Sequence, residues 1–138
     1  MQAATPHIVV VTSHRTRGVH GALKRRCLYY WIDYPSFKKE LQIVRAKAPD
    51  VEVLLLKQIT SFIQEMRQMD LFKAPGVAET LDWTAALVAL DQRALSVDII
   101  QDTLGVILKY QDDIDMLTPE TLSNMFDRAK LQADLAKE

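Results

Sequence analysis

A single cysteine, Cys27, excludes any intrachain disulfide in these 138 residues. With no secretory leader pattern at the start, a reducing cytoplasm is the expected location. No apolar run approaches the roughly 20 residues needed to span a bilayer, so no membrane role is expected. No internal repeat or low-complexity tract interrupts the chain. His7, His14 and His20 lack the close pairing of metal ligands, and no metal site is expected from them. Asp112, Asp113, Asp115 and Glu120 lack the glycine and the spacing of a calcium loop, and read as a solvated acidic connection. Acid is also missing from residues 1–32, which carry five bases: Arg15, Arg17, Lys24, Arg25 and Arg26. The other residues hold twelve bases against eighteen acids, for a net charge of -1 overall. That balance gives no case for a general polyanion binder, and no nucleic-acid partner is expected. The local excess of base points instead to a confined anion site.

What is present is ordinary for a globular domain, at 49% hydrophobic and 25% charged residues. Ile8 to Thr12 is β-branched and apolar without alternation, which predicts a strand buried on both faces, as in a parallel sheet. Ser13 to Gly21 reads as a polar loop, and Ala22 to Arg26 as a short helical turn. Leu28 to Ile32 (LYYWI) predicts a second strand, ended by Tyr34-Pro35. Cys27, entering that strand, reads as a small core residue. Alternation would send some of Tyr29, Tyr30, Trp31 and Tyr34 into the core and others to a subunit face.

Helix is predicted from Ser36 onward. Ser36 is an N-cap for a helix with Phe37, Leu41, Val44 and Ala48 on one side. Pro49-Asp50 breaks it. Leu55, Ile59, Phe62, Met66 and Met69 form the stripe of a long second helix. KAPG at 73–76 is a turn. Ala78 to Leu90 is the next helix, with Leu81, Ala85 and Val88 as its apolar stripe. Ser96 caps a helix carrying Ile100, Thr103, Leu104 and Ile107. Thr118-Pro119, a cap followed by proline at the first helical position, starts the last one, with Leu122, Met125, Phe126 and Ala129 on one face. A doubly buried first strand needs parallel neighbours, and one other strand cannot supply them. The sheet is therefore expected to be completed elsewhere, or the chain to be part of something longer.

The order strand, TSH, RTR, loop, ALKRRC, strand, YP, then helices with PGVAETLDW and LGVILKYQDD, resembles the C-terminal part of MoxR-type AAA+ ATPases. The branch it resembles most includes the carbon monoxide dehydrogenase accessory ATPase. The resemblance runs from Ile8 to about Ile114. It implies a mostly α fold: one or two remnant parallel β-strands of an AAA+ α/β sheet, then a helical lid bundle. Residues 1–35 would end the core sheet, 36–116 would form the lid, and 117–138 would be a helix outside the resemblance.

The resemblance also assigns roles. His14 takes the sensor-1 position, where relatives carry an Asn that helps place the attacking water; imidazole donates one hydrogen bond but lacks the amide pair. The LKRRC segment matches the arginine-finger box, whose guanidinium reaches the nucleotide of a neighbouring subunit. Counting back from Tyr34-Pro35 selects Arg25, whereas the apolar residue after the finger selects Arg26. Thr80, preceded by Glu79, stands near the sensor-2 arginine position, and neither neutralises phosphate. Implied partners are AAA+ subunits in a homo-oligomeric ring and a von Willebrand A-type protein; implied cofactors of the complete protein are ATP and Mg²⁺. No G-x-x-x-x-G-K-[ST] loop and no Walker B strand occur in the sequence. Alone, the chain is therefore not expected to bind or hydrolyse ATP. Two other readings stand beside this one. The chain can be a stand-alone, non-catalytic helical interaction domain that keeps an ATPase-derived surface, and at the residue level Arg25 and Arg26 can simply be solvated charges on a helical turn. A basic-loop nucleic-acid binder is opposed by the net acidic helices.

Overall fold

Helix dominates the computed structural model, which describes residues 8–12 and 20–136. The chain forms two units, Met1–Asp33 and Tyr34–Glu138. In the first, the only regular element among the described residues is α1 (Gly21–Lys24). Its start is closed by His20, whose Nδ1 accepts the Ala22 N–H at 3.4 Å. The expected strands at Ile8–Thr12 and Leu28–Ile32 are not formed among the described residues. Their side chains are exposed, Ile8 by 96% and Tyr30 by 86%. The reason is physical: a strand pairs its backbone groups only with another strand, and the described residues supply none. Cys27, expected in a core, is exposed for the same reason.

The second unit holds α2 (Phe37–Lys47), α3 (Val53–Met66), α4 (Val77–Ala89), α5 (Val97–Ile107), α6 (Gln111–Asp115) and α7 (Pro119–Leu135). Side-chain caps start three of them. Ser36 accepts from Lys39 N–H at 3.5 Å, Ser96 from Ile99 N–H at 3.3 Å and Thr118 from Thr121 N–H at 3.3 Å. Each satisfies an orphan donor of a first turn. At α4 the cap is Gly76, and Glu79 reaches back to accept its N–H at 2.9 Å.

α3 is the central element, with α2, α4 and α7 packed around it. Its predicted stripe is buried at Leu55, Ile59, Phe62 and Met66, and so are Leu56 and Ile63. A helix with neighbours on several sides must be apolar nearly all round. α7 runs antiparallel to α3: Glu65 meets Arg128 at 2.7 Å and Lys57 Nζ donates to Ala136 O at 2.8 Å. The faces predicted for α5 and α7 are buried as expected, with Phe126 partly so.

The α4 face differs from expectation. Ala85 and Val88 are exposed, and Thr80, Trp83, Thr84 and Leu87 point inward. Trp83 meets Phe62 with ring centroids 5.7 Å apart and donates Nε1–H to Thr103 Oγ1 at 2.8 Å. Thr84 O–H donates to Thr80 O at 2.8 Å. A threonine that bonds the preceding turn buries at little cost, and tryptophan brings more area than any leucine. Together they outweigh the Leu81 stripe. Among the described residues, no helix is long and apolar enough to cross a membrane.

Candidate functional site

The basic segment of the first unit is the site marked by the sequence. α1 ends in a turn where Arg25 N–H donates to Gly21 O at 3.2 Å and Arg26 N–H to Leu23 O at 3.0 Å. Both arginines are exposed. Neither side chain has a hydrogen bond or ion pair with a described residue, so both guanidinium forks are open to an incoming oxyanion. Lys24 Nζ lies 4.9 Å from the centroid of the Tyr29 ring, a cation–π contact that holds its charge near the second apolar run. The two finger candidates are thus adjacent in one turn. His14 lies outside the described residues.

The sequence of this segment contains no G-x-x-x-x-G-K-[ST] loop to cradle phosphates. Among the described residues, no group of three or more His, Cys, Asp or Glu is placed to hold a metal ion.

Thr80 and Glu79 serve the bundle. Thr80 Oγ1 lies 2.8 Å from Glu40 Oε1 and 3.1 Å from Gly76 O. Glu79 caps Gly76 and pairs with Lys73 at 3.3 Å. Burial would raise the Glu79 pKa, but the N–H groups of Glu79 and Gly76 and the Lys73 ammonium together lower it below 4.5.

Two buried carboxylates went unrecognised in the sequence. Glu40 is fully buried and accepts from the two terminal nitrogens of the Arg67 guanidinium, Nη1 at 2.6 Å and Nη2 at 2.8 Å. Its signal was present: it lies three residues after Phe37 and four before Val44, on the apolar face of α2. Asp113, read as a solvated acid, is 1% exposed and accepts Phe72 N–H at 2.7 Å and Lys73 N–H at 3.2 Å. No local pattern marked it, because its donors are 40 and 41 residues away. Phe72, whose backbone it holds, is exposed and meets Tyr110 edge-on with centroids 4.6 Å apart.

A shallow cleft of about 220 Å³ lies between the start of α3 and the end of α4, lined by Asp50, Val51, Leu55, Val88, Asp91 and Arg93 among others. Asp91 has φ 52°, in the left-handed region that aspartate tolerates better than most residues. Comparison with protein-family models, curated proteins and solved structures gives no match to this chain.

Proposed function

We propose that this chain is the C-terminal portion of a MoxR-like AAA+ ATPase, contributing an arginine finger and the sensor-1 position to ATP hydrolysis coupled to protein remodelling or metalloenzyme maturation. The observation that carries the reading is the Arg25-Arg26 pair, exposed on one helical turn between two apolar runs, Ile8–Thr12 and Leu28–Ile32. The pattern of those runs suits strands of a parallel sheet completed by other chain segments. In this reading the AAA+ core of a neighbouring ring subunit grips ATP and Mg²⁺, and one arginine faces its phosphates. His14 takes the sensor-1 position, the helices act as the lid, and a von Willebrand A-type protein is the partner. The proposed setting is the cytoplasm, with neither nucleic acid nor membrane involved.

A second reading is a stand-alone, non-catalytic helical interaction domain derived from such an ATPase. It is favoured by the bundle's own core, in which Phe62, Trp83, Leu87, Ile100 and Leu122 are wholly buried within residues 34–138.

ATP turnover separates the two. The chain is assembled with a MoxR-type core that carries both phosphate-binding motifs, and hydrolysis is compared for wild type, Arg25→Ala and Arg26→Ala. The ATPase reading expects one variant to lose about 10³-fold or more, the range of a removed finger. The other should stay near wild type. Unchanged turnover in both variants overturns the finger assignment. Failure of the wild-type chain to join any such ring favours the interaction domain.

A further inference from the structure

The chain enters the helical bundle at Tyr34, the first residue of the second unit. It is gripped there by side chains rather than by regular structure. The centre of the grip is the Glu40–Arg67 pair, whose side chains are 0% and 4% exposed. Such a pair is a poor source of stability, because two charges leave water to form it. What it supplies is direction, since each remaining donor is aimed at a fixed point. Arg67 Nε–H donates to Pro75 O at 2.8 Å, and the Arg67 guanidinium lies 4.5 Å from the Tyr34 ring centroid. Gln64 Nε2 donates to Glu40 Oε2 at 2.8 Å and to Pro35 O at 3.1 Å. Tyr34 O–H donates to Ala74 O at 3.2 Å.

Residues 34–35 are thereby tied to α3 and to the 74–75 loop through one guanidinium, one amide and one phenol. Proline fixes its own φ and narrows the backbone choices of the residue before it. With ring, hydroxyl and following carbonyl also held, little freedom remains at the entry.

We propose that Glu40, Gln64 and Arg67 form a clamp whose role is to position the entry segment Tyr34-Pro35, making it move with α3 and α4 as one body. A displacement imposed on the residues before Tyr34 would then reach α3 and α4 instead of being lost in a slack linker. This inference does not depend on the ATPase reading; it holds equally for an interaction domain.

The test is backbone ¹⁵N relaxation on the full chain, with thermal unfolding measured on the same samples. In wild type, the Tyr34 and Ser36 amides should be as ordered as those of α3, with order parameters of about 0.85. Tyr34→Ala removes the ring and the hydroxyl but keeps the Glu40–Arg67 pair. It should bring the Ser36 and residue-34 amides below about 0.6 while the melting temperature moves little. Tyr34→Phe, which loses the bond to Ala74, should fall between. Leu87→Ala, a core variant away from the clamp, should lower the melting temperature and leave the junction ordered. Unchanged order in Tyr34→Ala overturns the proposal. So does loosening of the junction in Leu87→Ala to the same degree, which would show order following global stability alone. Failure of Tyr34→Ala to fold also overturns it, since Tyr34 would then be an element of stability.

Discussion

Trp31 and Trp83 each sit in a short apolar run, LYYWI in the first unit and WTAAL in the second, yet Trp31 is 53% exposed and Trp83 is 0% exposed. Apolar content does not separate them. Backbone bookkeeping does. WTAAL is helical, so its peptide groups bond within α4, and its side chains are free to bury against α3 and α5. LYYWI is patterned for a strand, whose peptide groups need a neighbouring strand before burial becomes favourable. The described residues offer no such neighbour. A helical bundle can close its hydrogen bonds locally and then pack, whereas a sheet segment must recruit distant chain first. The two units of this protein show both conditions in one sequence.

The widest gap between the two regions should appear on truncating these aromatic runs. Trp83→Ala removes a wholly buried ring and its bond to Thr103, and should cost about 3–5 kcal/mol in urea unfolding. Tyr30→Ala, at an exposed position, should stay within about 0.5 kcal/mol of wild type. A comparable loss at Tyr30 would break the contrast, because it would place the LYYWI run in a folded core.

The same contrast explains what could be read from the chain in advance. Helix starts were legible at Ser36, Ser96 and Thr118-Pro119, because capping is a contact between residues three apart. The buried faces of α5 and α7 were legible from periodicity for a similar reason. On α4 the pattern misled. VAETLDWTAALVA is apolar on most sides, so the inward face was selected by tertiary partners: Phe62, Thr103 and Glu40. Glu40 could have been found as an acid on an apolar stripe, but its partner Arg67, 27 residues on, could not. In the candidate site, Arg25 and Arg26 were legible as a local excess of base. The strands on either side were legible only as patterns, since their pairing is a property of other chain segments.

A middle-sized effect tests whether long-range partners also separate like residues within the bundle. Asp112, Asp113 and Asp115 are near neighbours in sequence, but only Asp113 among them is buried. Asp113→Ala leaves Phe72 N–H and Lys73 N–H without their acceptor and should cost about 1–3 kcal/mol. Asp113→Asn, which keeps one acceptor oxygen, should recover part of that loss. Asp112→Ala and Asp115→Ala should each change stability by less than about 0.5 kcal/mol. Faster hydrogen exchange at residues 72 and 73 in Asp113→Ala would locate the damage. Equal losses from all three alanines would mean that the acidic run acts as a collective charge rather than through one buried carboxylate.

The smallest expected effect concerns Glu79, partly buried at the start of α4, where local and tertiary contributions meet on one side chain. Burial acts to raise its pKa, but the N–H groups of Glu79 and Gly76 and the Lys73 ammonium prevail, leaving it below 4.5 in the folded state. A carboxylate whose folded pKa is depressed stabilises the fold above its unfolded value, and that contribution is lost as pH falls through the folded value. Wild type should therefore exceed Glu79→Gln in melting temperature at neutral pH. The gap should narrow as pH drops below 4.5, the ordinary carboxyl value. Exposure to solvent keeps the gap small, at about 0.5 kcal/mol or less. Adding salt should trim only the Lys73 share, because that ion pair is screened more readily than a backbone N–H donating to the carboxylate. A gap that vanished in salt at neutral pH would show that the carboxylate charge acts through Lys73 alone, because glutamine at this position keeps an acceptor oxygen for the Gly76 N–H.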